Sequence, residues 1–168
     1  MPPAGSDIDD LLQLLTRAQI GFVVIGGVAV NLHGYTRNTA DLDILYRRTR
    51  ENVHRLAGVL QEIRPAFRVG PGVPPVPAPI EERAIWNGDR FTLTTDLADF
   101  DLMATADGVS SYDEVEARAL ALDVGGCTVL VAGIPDLIAM KQAANRPRDR
   151  EDIEALLKIQ SLTSEAGG

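Results

Sequence analysis

Two aspartates one residue apart, Asp41 and Asp43, close the run Phe22–Tyr46, FVVIGGVAVNLHGYTRNTADLDILY. Side chains at i and i+2 of a β-strand share a face. A strand over Asp41-Leu-Asp-Ile-Leu45 therefore points both carboxylates one way and Leu42 and Ile44 the other. Like charges on one face repel unless a cation lies between them. Hard oxygen donors of this kind suit Mg²⁺ or Mn²⁺, and Mg²⁺ is commonly held by one or two carboxylates together with substrate phosphates. Upstream, the apolar run Phe22–Ile25 does not alternate and reads as a buried strand. It breaks at Gly26-Gly27, and Val28 to Leu32 reads as a short helix ended near Gly34. Strand, glycine turn and helix start present backbone N–H groups with no side chain in an anion's way. Alone, a Gly-Gly pair marks only a tight turn and one Asp-x-Asp only a solvated strand edge. In this order they read as a metal–triphosphate site.

The acid pattern recurs in Asp99-Phe-Asp-Leu-Met103, where Asp99 and Asp101 share a face and Phe100 and Leu102 take the other. A cation follows later. On the helix from Asp136, Lys141 falls inside the apolar arc of Leu137, Ile138 and Ala144. On the last helix Asp149 falls on the edge of the arc of Ile153, Leu156 and Leu157. A core-facing charge is costly unless it is paired or reaches a site. Two readings of Lys141 stand level: a salt bridge to Asp149 locking the two helices, or a point-charge donor reaching a triphosphate.

The elements that must position these groups follow from periodicity and punctuation. Ser6 is suited to cap a helix over 7–19, with Ile8, Leu11, Leu12, Leu15 and Ala18 at helical spacing. Thr49 caps a helix over 50–63. Pro65 to Pro79 holds six of the ten prolines and two glycines, so it is an extended loop, neither helix nor central strand. Such a loop serves as a lid, as a docking segment for a partner protein or as a mobile connection. Arg90 to Thr95 alternates as a strand. Ser110-Ser111 ahead of Asp113 and Glu114 opens a helix to about Ala119. Gly125-Gly126 joins the strands 121–124 and 127–131 in a hairpin. Pro135 starts a helix to about Asn145, Pro147 breaks it, and a last helix runs from Asp149 to Gln160 with a frayed tail from Thr163.

The chain of 168 residues is one domain's worth, with 45% hydrophobic and 24% charged residues. A net charge of −8 gives no global field for nucleic acid, although arginines cluster at Arg47, Arg48 and Arg50 and at Arg146, Arg148 and Arg150. The second cluster reads as a solvated helix–helix corner or an acceptor patch. Cys127 is the only cysteine, so no internal disulfide forms. His33, His54, Trp86 and Cys127 read as structural. No signal peptide or transmembrane segment is evident, and a cytoplasmic location without membrane contact is expected.

Gly26-Gly27 followed by Asp41-Leu-Asp43, with a further acid in the apolar setting of FDLM, resembles the nucleotidyltransferase superfamily, the fold of small antibiotic nucleotidyltransferases and DNA polymerase β. The narrower pattern Arg37-x-Thr39-x-Asp41-x-Asp43, with Leu137-x-x-x-Lys141 and Arg148-Asp149-x-x-Asp152-Ile153, is similar to the AbiEii-type toxins of bacterial toxin–antitoxin systems. The resemblance spans about residues 20–160 and leaves the Pro-rich loop unmatched. It implies one α/β (α+β) domain, a mixed central sheet flanked by helices, with a helical C-terminal part from about residue 135. It also implies transfer of a nucleoside monophosphate from an NTP to an acceptor hydroxyl with Mg²⁺ or Mn²⁺ bound by Asp41, Asp43 and Asp101. The triphosphate would be held by Gly26, Gly27, Arg37, Thr39 and Lys141. Only the resemblance prefers Asp101 to Asp99 as third acid. The acceptor it implies is tRNA or protein, with an antitoxin as partner, or else a small hydroxylated drug; a catalytically silent binding module is the remaining reading.

Overall fold

The computed structural model describes residues 4–77 and 79–166. Helix α1 (Ala4–Arg17) buries Leu11, Leu12 and Leu15 completely. It starts ahead of Ser6, whose expected capping side chain lies outside the described residues. Strand β1 (Phe22–Ile25) is buried throughout, as its unbroken apolar run requires, and leads directly into α2 (Gly26–Leu32). Strand β2 (Asp41–Tyr46) returns antiparallel to β1, with Ile25 opposite Asp43. Helix α3 (Arg50–Glu62) begins where Thr49 accepts from the Asn52 N–H at 3.2 Å, the cap read from the sequence.

The Pro-rich stretch differs from expectation. It contributes two strands of two residues each at one end of the sheet, β3 (Ala66–Phe67) and, outermost, β4 (Val76–Pro77). Proline is tolerated there because an outermost strand has a free side where no ladder donor is needed. A short helix, α4 (Glu82–Asn87), follows; its Ile85 is fully buried, and the buried Tyr46 hydroxyl donates to the Ile85 carbonyl at 2.9 Å. Then come β5 (Arg90–Thr94), β6 (Asp99–Met103), α5 (Tyr112–Arg118), β7 (Leu120–Val124) and β8 (Cys127–Val131). Gly125 and Gly126 turn the β7–β8 hairpin with φ of +57° and +84°, a conformation that favours glycine.

Helix α6 (Ile134–Ala144) has proline in its first turn and stops at Asn145, whose φ of 50° is left-handed. Pro147 ends one helix and begins the next, α7 (Pro147–Ala166). The tail expected to fray from Thr163 is helical to Ala166 instead. Thr163 and Ser164 hydroxyls donate one turn back to the carbonyls of Ile159 and Gln160, at 2.9 and 3.0 Å. No helix among the described residues is long and apolar enough to cross a membrane.

The strands form one mixed sheet in the order β4-β3-β5-β6-β2-β1-β8-β7. Its parallel pairs are β2–β6 and β1–β8; the others are antiparallel. The expected mixed sheet flanked by helices is what the chain builds. Leu42, Ile44, Phe100 and Leu102 are fully buried on the face opposite the aspartates, so the core fixes which way the acids point. Phe100→Ala should therefore cost about 3–5 kcal/mol, read from urea unfolding, while leaving the acid register intact.

Candidate active site

β2 and β6 lie side by side in parallel, and their register sets Asp43 beside Asp101 and Asp41 beside Asp99. Four carboxylates thus share one face. Asp101 is the most enclosed, 8% exposed, and with Asp41 and Asp43 it lines a cleft of about 1120 Å³, whereas Asp99 does not reach that cleft. Burial first, then the neighbouring Asp101, as a charge and as acceptor for its proton, and then Asp41 together push the Asp43 carboxyl up to about 7, against a lowering pull from Arg90. Burial also raises Asp101, opposed by Arg68.

Arg68, one residue beyond β3, answers part of this repulsion. Its Nη1 lies 3.3 Å from Asp41 and 3.4 Å from Asp99, and its Nη2 is paired with Asp101. Among the described residues no three acid, histidine or cysteine side chains are gathered closely enough to grip a metal as they stand. The guanidinium lies among the acids that would have to converge. The donor chemistry nonetheless fits a hard divalent cation: hard oxygens on one face, a proton held where charge is crowded, and a cation already drawn to them.

The glycine turn is demanded by the same crowding. Gly26 has a φ of +69°, and a Cβ there would lie 2.0 Å from the Asp43 Oδ2. At Gly27 a Cβ would lie 2.8 Å from both the Arg37 guanidinium and the Thr39 hydroxyl. The space read from sequence as open to an anion is thus filled at its base by the site's own side chains. Only glycine lets β1, β2 and the 37–39 segment converge.

Lys141 is 5% exposed and pairs with Asp152 at 2.7 Å and with Asp149 at 3.4 Å. The helix-locking account of Lys141 is therefore realised, with Asp152 as the nearer partner. Asp152 also takes Arg37: Nη2 donates to Oδ2 at 3.0 Å, while Nε approaches Oδ1 at 2.9 Å as an ion contact without hydrogen-bond alignment. Arg146 completes the cluster, its backbone N–H and side chain donating to Asp149 at 3.0 and 2.9 Å. Three cations and two fully buried carboxylates tie α6, α7 and the 37–39 segment together.

All eight residues singled out from the sequence line the one cleft: Gly26, Gly27, Arg37, Thr39, Asp41, Asp43, Asp101 and Lys141. Sequence reasoning missed Arg68, Arg90 and the double role of Asp152; an acid in the second turn of a helix beginning at a proline gives no signal of a remote arginine partner. Arg146 is a helix–helix corner, as one reading had it, and with Arg148 it also borders the cleft. The other arginine cluster is not a free patch: Arg47 pairs with Glu116, Arg48 with Asp89, and Arg50 lies 4.7 Å over Trp86. His33 meets the Ala132 carbonyl at 2.8 Å and His54 meets Glu82, both away from the acids.

Asp152→Ala leaves two cations facing each other in the interior, so it should cost about 3–5 kcal/mol in denaturant unfolding. Asp43 supplies a pH signature. Its folded pKa lies above the unfolded value of 3.8, so the folded state binds more protons between those limits and stability falls as pH rises from about 4 to about 7. Asp43→Asn should remove that loss: its melting temperature, relative to the parent and without metal, should be higher at pH 8 than at pH 5.

No curated protein sequence matches the chain. Solved structures do. The lincosamide antibiotic adenylyltransferase LnuA, bound to lincomycin, superposes with a TM-score of 0.65 at 15% identity, over 92% of this chain and 96% of that one. An antigenic nucleotidyltransferase-like protein from Paracoccidioides brasiliensis gives 0.58 at 16% identity, over 95% and 76%. ANT(2")-Ia in complex with adenylyl-2"-tobramycin gives 0.56 at 14% identity, over 94% and 93%. At such identities the likeness is one of fold. In sequence, the family described as nucleotidyltransferases of unknown function, DUF6036, matches residues 6–165. That span holds every strand, the glycine turn and all four carboxylates, and the chain belongs to this nucleotidyltransferase family.

Proposed function

We propose that the chain moves a nucleoside monophosphate from an NTP to a hydroxyl of a small-molecule acceptor, with Mg²⁺ or Mn²⁺ bound at the acid face. The observation that carries this is the parallel register of Asp43 and Asp101 beside the Gly26 turn, at the base of a single cleft. Bound cations would neutralise phosphate charge and lower the pKa of the attacking hydroxyl. Asp41 and Asp43 would hold the nucleotide-side ion, and the Asp43 proton would leave as it does so. Asp101 would join them, and its carboxylate would take the acceptor's proton. Gly26 and Gly27 would set the triphosphate against the start of α2, with Thr39 beside it. Lys141 and Arg37 would add positive charge tempered by Asp149 and Asp152.

Two observations favour a small acceptor over RNA or protein. A cleft of about 1120 Å³ is on the scale of a nucleotide with a second small ligand, and the net charge of −8 repels polyanions. The similar folds include enzymes seen with lincomycin and adenylylated tobramycin. The toxin-like residues Arg37 and Asp152 have a structural explanation in their mutual ion pair, which carries no information about an acceptor or an antitoxin.

Incubation with α-³²P-labelled NTPs, Mg²⁺ or Mn²⁺, a panel of hydroxylated amphiphiles, tRNA and cell extract tests the reading. Label should appear on a small molecule with release of pyrophosphate, and Asp101→Asn should slow it by on the order of 10²–10⁴-fold. Label on RNA or protein would overturn the acceptor class, and an undiminished Asp101→Asn enzyme would overturn the role of that acid. No label on anything would leave the silent binding module as the better account.

A further inference from the structure

The Pro-rich segment has no part in the chemistry above, yet it delivers a side chain that touches three of the four acids. Arg68 is bound to Asp41, Asp99 and Asp101 together. It does so from outside the cleft, since neither Arg68 nor Asp99 lines it. Its backbone N–H is fixed to the Thr92 carbonyl at 3.1 Å, so the root of the side chain is anchored to the sheet and only its three methylenes separate that anchor from the guanidinium among the acids. The seat is imperfect: the buried Nε finds no acceptor among the described residues, which leaves a donor unsatisfied as long as the guanidinium stays.

We infer that Arg68 is an internal counter-cation that competes with divalent metal for Asp41 and Asp101, with Asp99 as the residue that keeps the displaced guanidinium within reach. This rests on the metal-dependent reading of the acid face. It gives Asp99 a reason to exist: in register with Asp41, yet off the cleft, it pairs with Arg68. It also accords with there being no gathered set of three ligands among the described residues, since the guanidinium already pairs with Asp41 and Asp101. A guanidinium suits this better than an ammonium, since its planar fork bridges separate carboxylates at once.

Direct titration of Mn²⁺ into the full chain without nucleotide, by calorimetry, is the test. Arg68→Ala should bind Mn²⁺ roughly tenfold tighter than the parent, and Arg68→Lys should fall nearer to Arg68→Ala, because a point charge cannot bridge as the fork does. Asp99→Asn should weaken binding more in the parent than in the Arg68→Ala background. Equal or weaker binding by Arg68→Ala, or an Arg68→Lys protein indistinguishable from the parent, overturns the competition. Should Arg68→Ala fail to fold, Arg68→Lys decides alone. If parent and variants bind equally and Asp43→Asn abolishes binding, only the role of Arg68 falls. If every variant is folded and none binds Mn²⁺, the metal-dependent reading itself falls.

Discussion

Four carboxylates held on one face of a mixed sheet would drive the strands apart if nothing opposed them, and most of the irregular features of this protein answer that repulsion. The core fixes the acids in place: Leu42, Ile44, Phe100 and Leu102 bury the other face, so no single strand can rotate its charge outward without exposing its apolar half. What remains is to accommodate charge where it stands. Asp43 keeps its proton to near neutrality, Asp101 lends itself as acceptor, and Arg68 spans the rest. Hard divalent cations would be held by such a concentration of negative charge, and without them the charge must be relieved from within the chain.

The same cleft is also lined by the complementary excess. Arg37, Lys141 and Arg146 converge on Asp149 and Asp152, so three positive groups share two buried carboxylates. Arg37, Lys141 and Arg146 line the same cleft as Asp41, Asp43 and Asp101, so both signs of charge border one space. Because each cation is also a fastener between α6, α7 and the 37–39 segment, the same residues set both the shape of the wall and its charge.

What was legible in the sequence was whatever repeats with a period or requires a particular backbone. Two Asp-x-Asp strands, the unalternating β1, the Gly-Gly turn and the Thr49 cap all carry their own signals. Lys141 stood out because it interrupted an apolar arc. Strands of two residues have no period to read, so β3 and β4 were hidden among prolines, and with them Arg68. The partners of Asp152 were hidden for a different reason: a residue's charge is visible in sequence, but its choice among distant counter-ions is decided by packing. The end of α7 was underestimated because polar residues weaken the apolar arc without stopping a helix.

The parallel pairing of β2 with β6 has a consequence for how the molecule comes into being. Asp43 and Asp101 meet only after about sixty residues between them have been folded back, through α3, β3, β4, α4 and β5, and such long closures are slow. The β1–α2–β2 unit, by contrast, is local. A newly made chain therefore acquires its glycine turn and first acid pair early and its complete acid face late. The chemistry of the protein is assembled last, at the seam where the two halves of the sheet close.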